Sequence, residues 1–420
     1  MSAITRLAKS DTTSRTQTSA TLTEVPSWSV TWSDLTTAGF VNGDVVVVLC
    51  RITIGGSAVN ATLRGQMQHG TSLDSGGAGK VVESEWTIEP EDTSSIRGHH
   101  HAFVSKITLV TNQGFYFGIA GDGTNDSRNN DFSILILKLG DLPADAWRFA
   151  EQTHSGDAPT AYDTSGASVT VPGLASGNDW LLFANSSWLI DSTTADILMA
   201  LSWSGTDYGE VHEEGEDVAE IRSYLTSRYV TGVTGDTTLR ARYRVDTSTT
   251  HDCVRTAVFA LRLSAFRDHD GVQATTVITH SVLDTYQECA GLPTYVHGGG
   301  DLIVVAQSRT AAVGEATKSM YGQLQIGGVD MIAGLGRNGG AKPHGTLDQL
   351  PWTYLGMSTV STGTLDIDMD IAEDSDISPT YDADYHVLAV FSAELAAGAA
   401  EPVHAFPRFT YIPEIDDGLR

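Results

Sequence analysis

The chain has 420 residues, of which 41% are hydrophobic; this is enough for packed cores and excludes a globally disordered protein. Its 52 acidic and 25 basic residues give a formal net charge of −27, which opposes binding to nucleic-acid phosphates. Forty-two glycines, many Ser and Thr, and few helix-type apolar patterns favour an all-β chain with many turns.

The cysteines and the N-terminus bear on the compartment. Cys50, Cys253 and Cys289 are too few for a disulfide framework, and Cys50 ends the run VVVVLC, where a small buried hydrophobe is expected. The first residues, MSAITRLAKSDTTSRT, contain no apolar core of signal-peptide length. No stretch approaches the roughly eighteen apolar residues of a membrane span. We therefore expect folding in a cytoplasm and no contact with a membrane.

Similar strand patterns recur three times along the chain, which indicates an internal repeat. Each copy has an apolar strand after a Gly-Asp or Asn-Asp turn: GDVVVVLC from Gly43, NDWLLFAN from Asn178 and GDLIVVAQ from Gly300. Each copy is closed by a second strong strand: FSILILKL from Phe132, TAVFALRL from Thr256 and HVLAVFSAEL from His386.

Further strands complete each copy. Two lie between the strong strands: AFVSKITLV and GFYFGIAG, then SYLTSRYVTGV and TTLRARYRVD, then TYLGMSTVST and GTLDIDMDI. Another is expected before each copy: SWSVTWSDL near Ser27, ASVTVPGLA near Ala167 and TYQECAGLP near Thr285. This spacing predicts three tandem antiparallel β-sandwich domains of jelly-roll-like type, with the strand order left open.

The copies set the predicted domain boundaries. The three sandwiches are expected at residues 26–142, 143–266 and 267–396. Residues 1–25, rich in Ser and Thr, predict a flexible N-terminal arm. Residues 397–420 predict an extended, proline-containing tail that docks on a surface through its aromatic side chains. The candidate anchors in this tail are Phe406, Phe409 and Tyr411.

Two segments at matching places in copies two and three carry opposite charges. Each begins with Thr-Leu and then alternates apolar and charged residues: Arg240, Arg242 and Arg244 form an arginine ladder, and Asp366, Asp368 and Asp370 form an aspartate ladder. The alternation predicts strands whose apolar residues face a core and whose charges face outward.

The ladders have two interpretations. In one, the charges meet neighbours of opposite sign within the same sheet. In the other, the arginine ladder meets an acidic face on a neighbouring chain or on a partner. The second interpretation predicts that reversing all three arginines to aspartate abolishes assembly.

Three stretches are candidate metal or catalytic sites, each with an ordinary alternative. In the triplet His99-His100-His101 only the outer two share a strand face, so they either start a zinc site or form a strand-edge cluster. The acidic run from Asp207 to Glu220 suits calcium or glycoside chemistry, or a solvated loop. The run from Gly121 to Asp131 is calcium-like but lacks the EF-hand spacing, and it equally suits a hairpin loop. We expect no cofactor, with calcium as the alternative.

Motifs for nucleophilic or nucleotide chemistry are missing. There is no GxSxG and no HExxH, and GGAGKV at Gly76 lacks the first Gly and the final Ser/Thr of a phosphate loop. These observations predict a protein that is not an enzyme. Several tryptophans suit either sugar stacking or a hydrophobic core: Trp28, Trp32, Trp188, Trp203 and Trp352.

Tandem β-sandwiches, an acidic surface and arm-like ends together resemble the virion proteins of tailed bacteriophages, in which such modules decorate a capsid or form tail and neck fibres. The resemblance covers the whole chain in architecture, and no sequence motif contributes to it. It implies a non-enzymatic structural protein of the virion, assembled in the host cytoplasm. Its implied partners are capsid or tail subunits, and it would form a homo-oligomer or a multi-copy assembly.

The resemblance leaves alternative roles open. The first is a capsid decoration or cement protein that binds and stabilises a shell. The alternative is a tail or neck fibre, or a module that binds a receptor or a glycan through sandwich loops. A secreted adhesin is a third possibility, against which the missing signal peptide counts.

Overall fold

A computed structural model describes the chain from Ser2 to Ala397, except for residues 12, 14, 57–61, 75–78, 89–98, 125–126, 191–195, 215–219, 248–250, 276, 281–286, 312–318, 331–350 and 375–380. Antiparallel strands dominate the described residues. The prediction of an all-β chain is confirmed. The strands form three successive units.

The first unit contains one short helix, α1 (Trp32–Thr37). Its strands are β1 (Arg6–Asp11), β2 (Arg15–Gln17), β3 (Thr23–Glu24), β4 (Val45–Gly56), β5 (Leu63–Gly70), β6 (Trp86–Ile88), β7 (His99–Thr108), β8 (Gly114–Ala120) and β9 (Ser127–Lys138). Both β1 and β2 pair with β9, so together they act as one interrupted strand.

The second and third units repeat this plan. The second contains β10 (Trp147–Thr153), β11 (Ser168–Val171), β12 (Trp180–Ile190), β13 (Asp196–Trp203), β14 (Thr206–Glu214), β15 (Glu220–Val230), β16 (Thr237–Val245) and β17 (Asp252–Arg262). The third contains β18 (His269–Ala274), β19 (Ile278–His280), β20 (Gln287–His297), β21 (Gly300–Ala311), β22 (Ser319–Ile326), β23 (Val329–Asp330), β24 (Pro351–Val360), β25 (Gly363–Asp374) and β26 (Tyr381–Ser392). Short 3₁₀ helices occur at Val82–Ser84, Leu139–Asp141 and Leu263–Ala265.

Every unit has the same strand order. If its principal strands are numbered one to eight, one sheet runs 1-8-3-6 and the other 2-7-4-5. We call the first the inner sheet: β1-β9-β4-β7, β10-β17-β12-β15 and β18-β26-β21-β24. The outer sheets are β3-β8-β5-β6, β11-β16-β13-β14 and β20-β25-β22-β23. The outer sheet of unit 1 is continuous with the inner sheet of unit 2, because β6 pairs with β15 and the two make one eight-stranded sheet. Two four-stranded sheets with these crossovers make an eight-stranded jelly roll, as the sequence predicted.

One predicted strand is wrong. The segment SWSVTWSDL contains a turn and then α1, because Thr31 caps that helix in a reciprocal capping box with Asp34. The second strand of this unit is instead the short β3. With six residues, α1 is far below bilayer length, and no described helix has the length and apolar character to cross a membrane.

Each unit has its own hydrophobic core between its inner and outer sheets. A fourth core lies on the opposite face of the three inner sheets and combines all three units. We call this fourth cluster the central core. Its strand residues are Val47, Leu49, Ala102, Val104, Leu135, Leu137, Leu181, Phe183, Leu225, Tyr229, Ala257, Phe259, Leu261, Ile303, Val305, Leu355, Tyr385, Val387, Ala389 and Phe391.

Contacts around the central core are cyclic. In unit 1, β7 packs on the inner sheet of unit 2, with Lys106 over the ring of Phe149 at 5.1 Å. In unit 2, β15 packs on β18 of unit 3, where Gly271 leaves room for the ring of Tyr229. In unit 3, β24 packs back on β1, β4 and β9 of unit 1. The three units therefore form a closed ring with approximate threefold symmetry.

The N-terminus closes this ring. The backbone N–H of Ile4 donates to the carbonyl of Ala393 at 2.9 Å, and that of Leu395 donates to Ser2 at 3.0 Å. In every unit the last residue of the eighth strand makes the same backbone bond to the residue before the first strand. The N–H groups of Lys138, Arg262 and Ser392 donate to the carbonyls of Thr5, Ala146 and Asp268, respectively. Between units 3 and 1 the two chain ends therefore take the place of the continuous segment that joins units 1 and 2, and units 2 and 3.

The expectation of a flexible arm at residues 1–25 is wrong where β1 and β2 form. The Ser and Thr content suggested disorder, but β1 fills the edge of the inner sheet beside β9 and Leu7 packs on the core of unit 1. The boundaries at 142/143 and 266/267 stay predictions as limits of independently folding domains, because the central core is shared.

Candidate interaction surfaces

The arginine ladder lies on β16 in the outer sheet of unit 2, with its apolar partners buried as predicted. Arg242 makes an ion pair of 2.9 Å with Asp207 on β14 of the same sheet. The guanidinium groups of Arg242 and Arg244 each lie 5.0 Å from the ring centre of Tyr162. These contacts favour the interpretation in which the ladder meets partners within its own unit.

The aspartate ladder lies on β25, at the equivalent place in unit 3. Asp366 is exposed, and no ion pair joins Asp366 or Asp368 to a basic residue in the described part of the chain. Burial, followed by the charges of Asp366 and Glu288, raises the pKa of Asp368. Carboxylate oxygens of Glu288 and Asp368 meet over Gly291, where a Cβ would lie 2.3 and 2.9 Å from them. Repulsion between like charges is therefore concentrated on this face.

Pairing of the arginine ladder with another chain stays a prediction. The tail anchors Phe406, Phe409 and Tyr411 lie outside the described residues. The last described residues, near Ala396, contact the segment between units 2 and 3, through a 2.9 Å bond from the Ala396 N–H to the Ala265 carbonyl.

The histidine triplet lies on β7, and the side chains of His99 and His100 are outside the described part. His101 is buried, and its Nε2 lies 3.1 Å from the Glu83 carbonyl, while its Nδ1 accepts from the Ser223 N–H at 3.2 Å. Burial lowers its pKa to about 3, so the ring is neutral. Both ring nitrogens are occupied, Nε2 by a partner in unit 1 and Nδ1 by a partner in unit 2, which leaves neither for a metal.

The described carboxylates of the acidic run already have partners. Asp207 binds Arg242, Glu210 accepts from the Tyr162 hydroxyl, and Glu213 forms a buried ion pair with Arg222. Glu214 to Glu220 and the side chains of Asn125 to Asp131, where calcium was the alternative, lie outside the described side chains. Among the groups that are described, no three His, Cys, Asp or Glu residues are placed to hold a metal ion.

The tryptophans divide into two classes. Trp28, Trp188 and Trp352 are fully buried, so they belong to the cores of their units. Trp32 and Trp203 are partly exposed. An open depression of about 440 Å³ between units 2 and 3 is lined by Trp203, together with Arg228 and Gln273. Of the five candidates for sugar stacking, Trp203 therefore has the setting that suits it best.

Contacts between the units were missed from the sequence. Arg6 on β1 pairs with Asp301 of unit 3 at 2.5 Å, and His269 on β18 lies 3.4 Å from Asp179 of unit 2. At the third equivalent place, Trp147 and Val45 both pack on the central core. The polar pairs join residues far apart in the chain, so no sequence pattern indicates them. The apolar runs VVVV, WLLF and LIVV do indicate a second buried face, because such runs are typical of strands buried on both faces.

Comparisons with known proteins do not place the chain in a family. No protein-family model matches it, and no curated protein sequence matches it.

Several solved structures share weak similarity with the chain. The CBM22-1–CBM22-2 tandem domain of Xyn10C from Paenibacillus barcinonensis is 10% identical, with 60% of this chain and 89% of that chain covered and a TM-score of 0.19. PNGF-II is 7% identical, with 82% and 99% covered and a TM-score of 0.25. The Gt strain structure of infectious bursal disease virus is 8% identical, with 91% and 82% covered and a TM-score of 0.18. These values are too low to assign a function.

Proposed function

We propose that this chain is a non-enzymatic structural protein of a virion, and specifically a capsid decoration or cement protein that binds and stabilises a viral shell. The observation that carries the proposal is the closed ring of three jelly rolls around the central core. A ring of this kind is a stiff body with three outward-facing units, which suits bridging between neighbouring subunits of a larger assembly.

The distribution of charge supports the same role. The net charge of −27 keeps such a body soluble and disfavours nucleic acid as its partner. The proposed partners are other virion proteins, with many copies on one particle, no membrane and no cofactor. Assembly takes place in the host cytoplasm, and the mature protein resides in the virion.

Purified particles provide the test. Particles are prepared from the host that carries the gene, with the gene intact and with it deleted, and are imaged and analysed by mass spectrometry. We expect the chain in a fixed copy number on the shell, and shells that open at lower temperature when it is deleted. A chain found free in solution and absent from every particle would contradict the proposal.

A receptor- or glycan-binding role, on a tail or neck fibre, is the second candidate. The depression at Trp203 favours it, because a partly exposed indole beside an arginine and a glutamine amide suits a sugar that carries a carboxylate. A glycan array with the native protein and with Trp203→Ala separates the two roles. Binding that is lost in the variant supports recognition; a native protein that binds no glycan, yet is present on shells, removes it.

A further inference from the structure

One end of the ring differs from the other in how it is built. The third strand of each inner sheet starts there and the eighth strand ends there, so the segments between units gather at this end. We call it the junction pole. It contains the turns before β4, β12 and β21, the segments Leu139–Ala146 and Leu263–Asp268, and the paired chain ends.

Side-chain bonds fix the three turns to these segments. In unit 1, Lys138 lies 3.0 Å from Asp44 of the turn and 3.6 Å from Asp141 of the following segment. In unit 2, Ser264 donates to the Asn178 amide oxygen at 3.2 Å. The turn of unit 3 is held by a 2.7 Å bond from Arg267 to the Gly299 carbonyl. The turns are thus firmly held parts of one surface.

Each unit exposes an apolar side chain at this pole, in the turns before β4 and β12 and at the end of β20. Val41 is 56% exposed, Leu174 is 40% exposed and Val296 is 68% exposed. Val110 adds a second such residue in unit 1. Of the seven large apolar residues that are exposed in the described part of the chain, these four lie at the junction pole. Single exposed valines are common on surfaces, but here every unit exposes at least one large apolar side chain at the same end of the ring.

Some of the acidic groups at this pole are paired within the chain. Asp44 pairs with Lys138, Asp301 pairs with Arg6 at 2.5 Å, and Asp145 pairs with Arg262 at 2.6 Å. In a chain with a net charge of −27, this makes the junction pole locally less acidic than the aspartate ladder on the outer sheet of unit 3. Removing such a surface from water carries a smaller desolvation cost than burying unpaired carboxylates.

The described part of the chain also ends at this pole. Leu395 and Ala396 bond to Ser2 and Ala265, among the segments between units, and residues 398–420 follow them in the sequence. That tail carries Phe406, Phe409 and Tyr411. Apolar turns and the origin of an aromatic tail therefore coincide on one face of the molecule.

We propose that the junction pole is the face by which the ring attaches to its partner, and that the partner is a protein surface with three copies of one apolar contact site around a threefold axis. The inference rests on the proposed function and assigns the face that the shell would contact. One apolar contact from each of the three units around the ring axis matches a partner of the same approximate symmetry. Simultaneous contacts at three points raise the overall affinity above that of any one contact.

The test uses full-length protein and particles made without its gene. Binding is measured for the native chain, for Val41→Asp, Leu174→Asp and Val296→Asp, and for the triple variant. Each buried Val or Leu is expected to contribute about tenfold in affinity, so the triple variant should bind about a thousandfold more weakly. Val277→Asp is the matched control, because Val277 is 54% exposed and lies near β19, at the opposite end of the inner sheet. It should bind as the native chain does.

The outcomes separate the two proposals. If the native chain binds particles and the triple variant, with an unchanged urea midpoint, binds equally well, attachment is elsewhere while the decoration role stands. If the native chain does not bind these particles at all, the decoration role itself is wrong, and the assignment of a contact face is wrong with it. If sedimentation shows that the native chain self-associates and that the triple variant does not, the pole contacts a second copy of the ring, and the inference of a shell partner is wrong.

Discussion

At the scale of residues, the three copies place different polar side chains at the same buried position. Arg51, Asn185 and Gln307 occupy matching places on the third strands and are all buried. Gln307 joins units 3 and 2, accepting from the Ser227 N–H and donating to the Leu225 carbonyl, both at 2.7 Å. Arg51 lies over the ring of Tyr354 in unit 3, at 5.7 Å. These polar contacts are directional, so they select one arrangement of units that apolar packing alone would leave less defined.

Glycine at position 322 is a steric requirement of the core of unit 3. A Cβ there would come within 2.1 Å of the indole ring of Trp352, which is fully buried and has no room to move. We expect Gly322→Ala to destabilise the protein by about 2 kcal/mol, as overpacking does, measured by urea unfolding. Gly235→Ala is the matched control, because a Cβ there meets nothing within 4 Å. Equal stability of both variants would contradict the steric explanation.

A buried ion pair predicts a pH dependence. Glu83 of unit 1 is 1% exposed and lies 2.5 Å from Arg255 of unit 2. Burial raises the pKa of Glu83 despite the opposing charge of Arg255. Because the folded-state pKa exceeds the unfolded one, this group favours the fold at low pH, and that contribution is lost as pH rises through the folded-state value. Glu83→Gln should therefore gain stability relative to the native protein as pH rises from the ordinary glutamate range towards neutrality.

The same pair predicts a second outcome. Arg255→Met leaves the buried Glu83 without its counter-charge, which is expected to cost about 3 kcal/mol at pH 7. Adding Glu83→Gln to that variant should recover much of the loss. Thermal or urea unfolding across a pH series measures both effects, and a pH profile identical in the native and Glu83→Gln proteins would refute the assignment.

At the scale of elements, alternation and apolar runs predicted most strands, including both ladder strands. They failed at β1, because RLAKSD has too few apolar residues for a pattern, and its position is fixed by pairing with β9. They also failed at α1, where the pair Thr31 and Asp34 was a helix-start signal that the aromatic residues around it obscured. The charge ladders were placed correctly on outer faces, but their partners depend on neighbouring strands that the sequence does not order.

The arginine ladder gives a prediction at this scale. If Arg242 pairs with Asp207 within its sheet, Arg242→Asp should destabilise the protein by about 1 kcal/mol, since both side chains are about a quarter exposed. Adding Asp207→Arg should restore most of that loss. Arg240→Asp is the control, because Arg240 is on the same ladder and forms no ion pair in the described part of the chain. If the change in the free energy of unfolding of the double variant equals the sum of the changes in the two single variants, the two residues do not interact.

At the scale of the whole molecule, the ring is what the sequence does not reveal. A strand with apolar residues on both faces needs a packing partner on each face of its sheet, but the pattern does not say whether helices, loops or other units provide the second partner. Here the second cover is the central core, to which each unit contributes one face of its inner sheet. The number and spacing of the strands predicted a jelly-roll-like sandwich but not its strand order, and the cyclic packing depends on surfaces that come together only after each unit has formed.

The central core predicts that the three units are not independent. Unit 2 alone, residues 143–266, would expose an apolar face that includes Leu181, Phe183, Phe259 and Leu261, all buried in the ring. We expect that fragment to aggregate or to bind a hydrophobic dye strongly, and the full chain to unfold in one cooperative transition seen equally by fluorescence and circular dichroism. Replacing Phe183 and Phe259 by serine in the fragment should improve its solubility, whereas the same changes in the full chain should destabilise it, because they leave a cavity in the central core. A soluble, monomeric wild-type fragment with a sharp transition of its own would mean that each jelly roll is a separate domain and that the central core is only an interface between them.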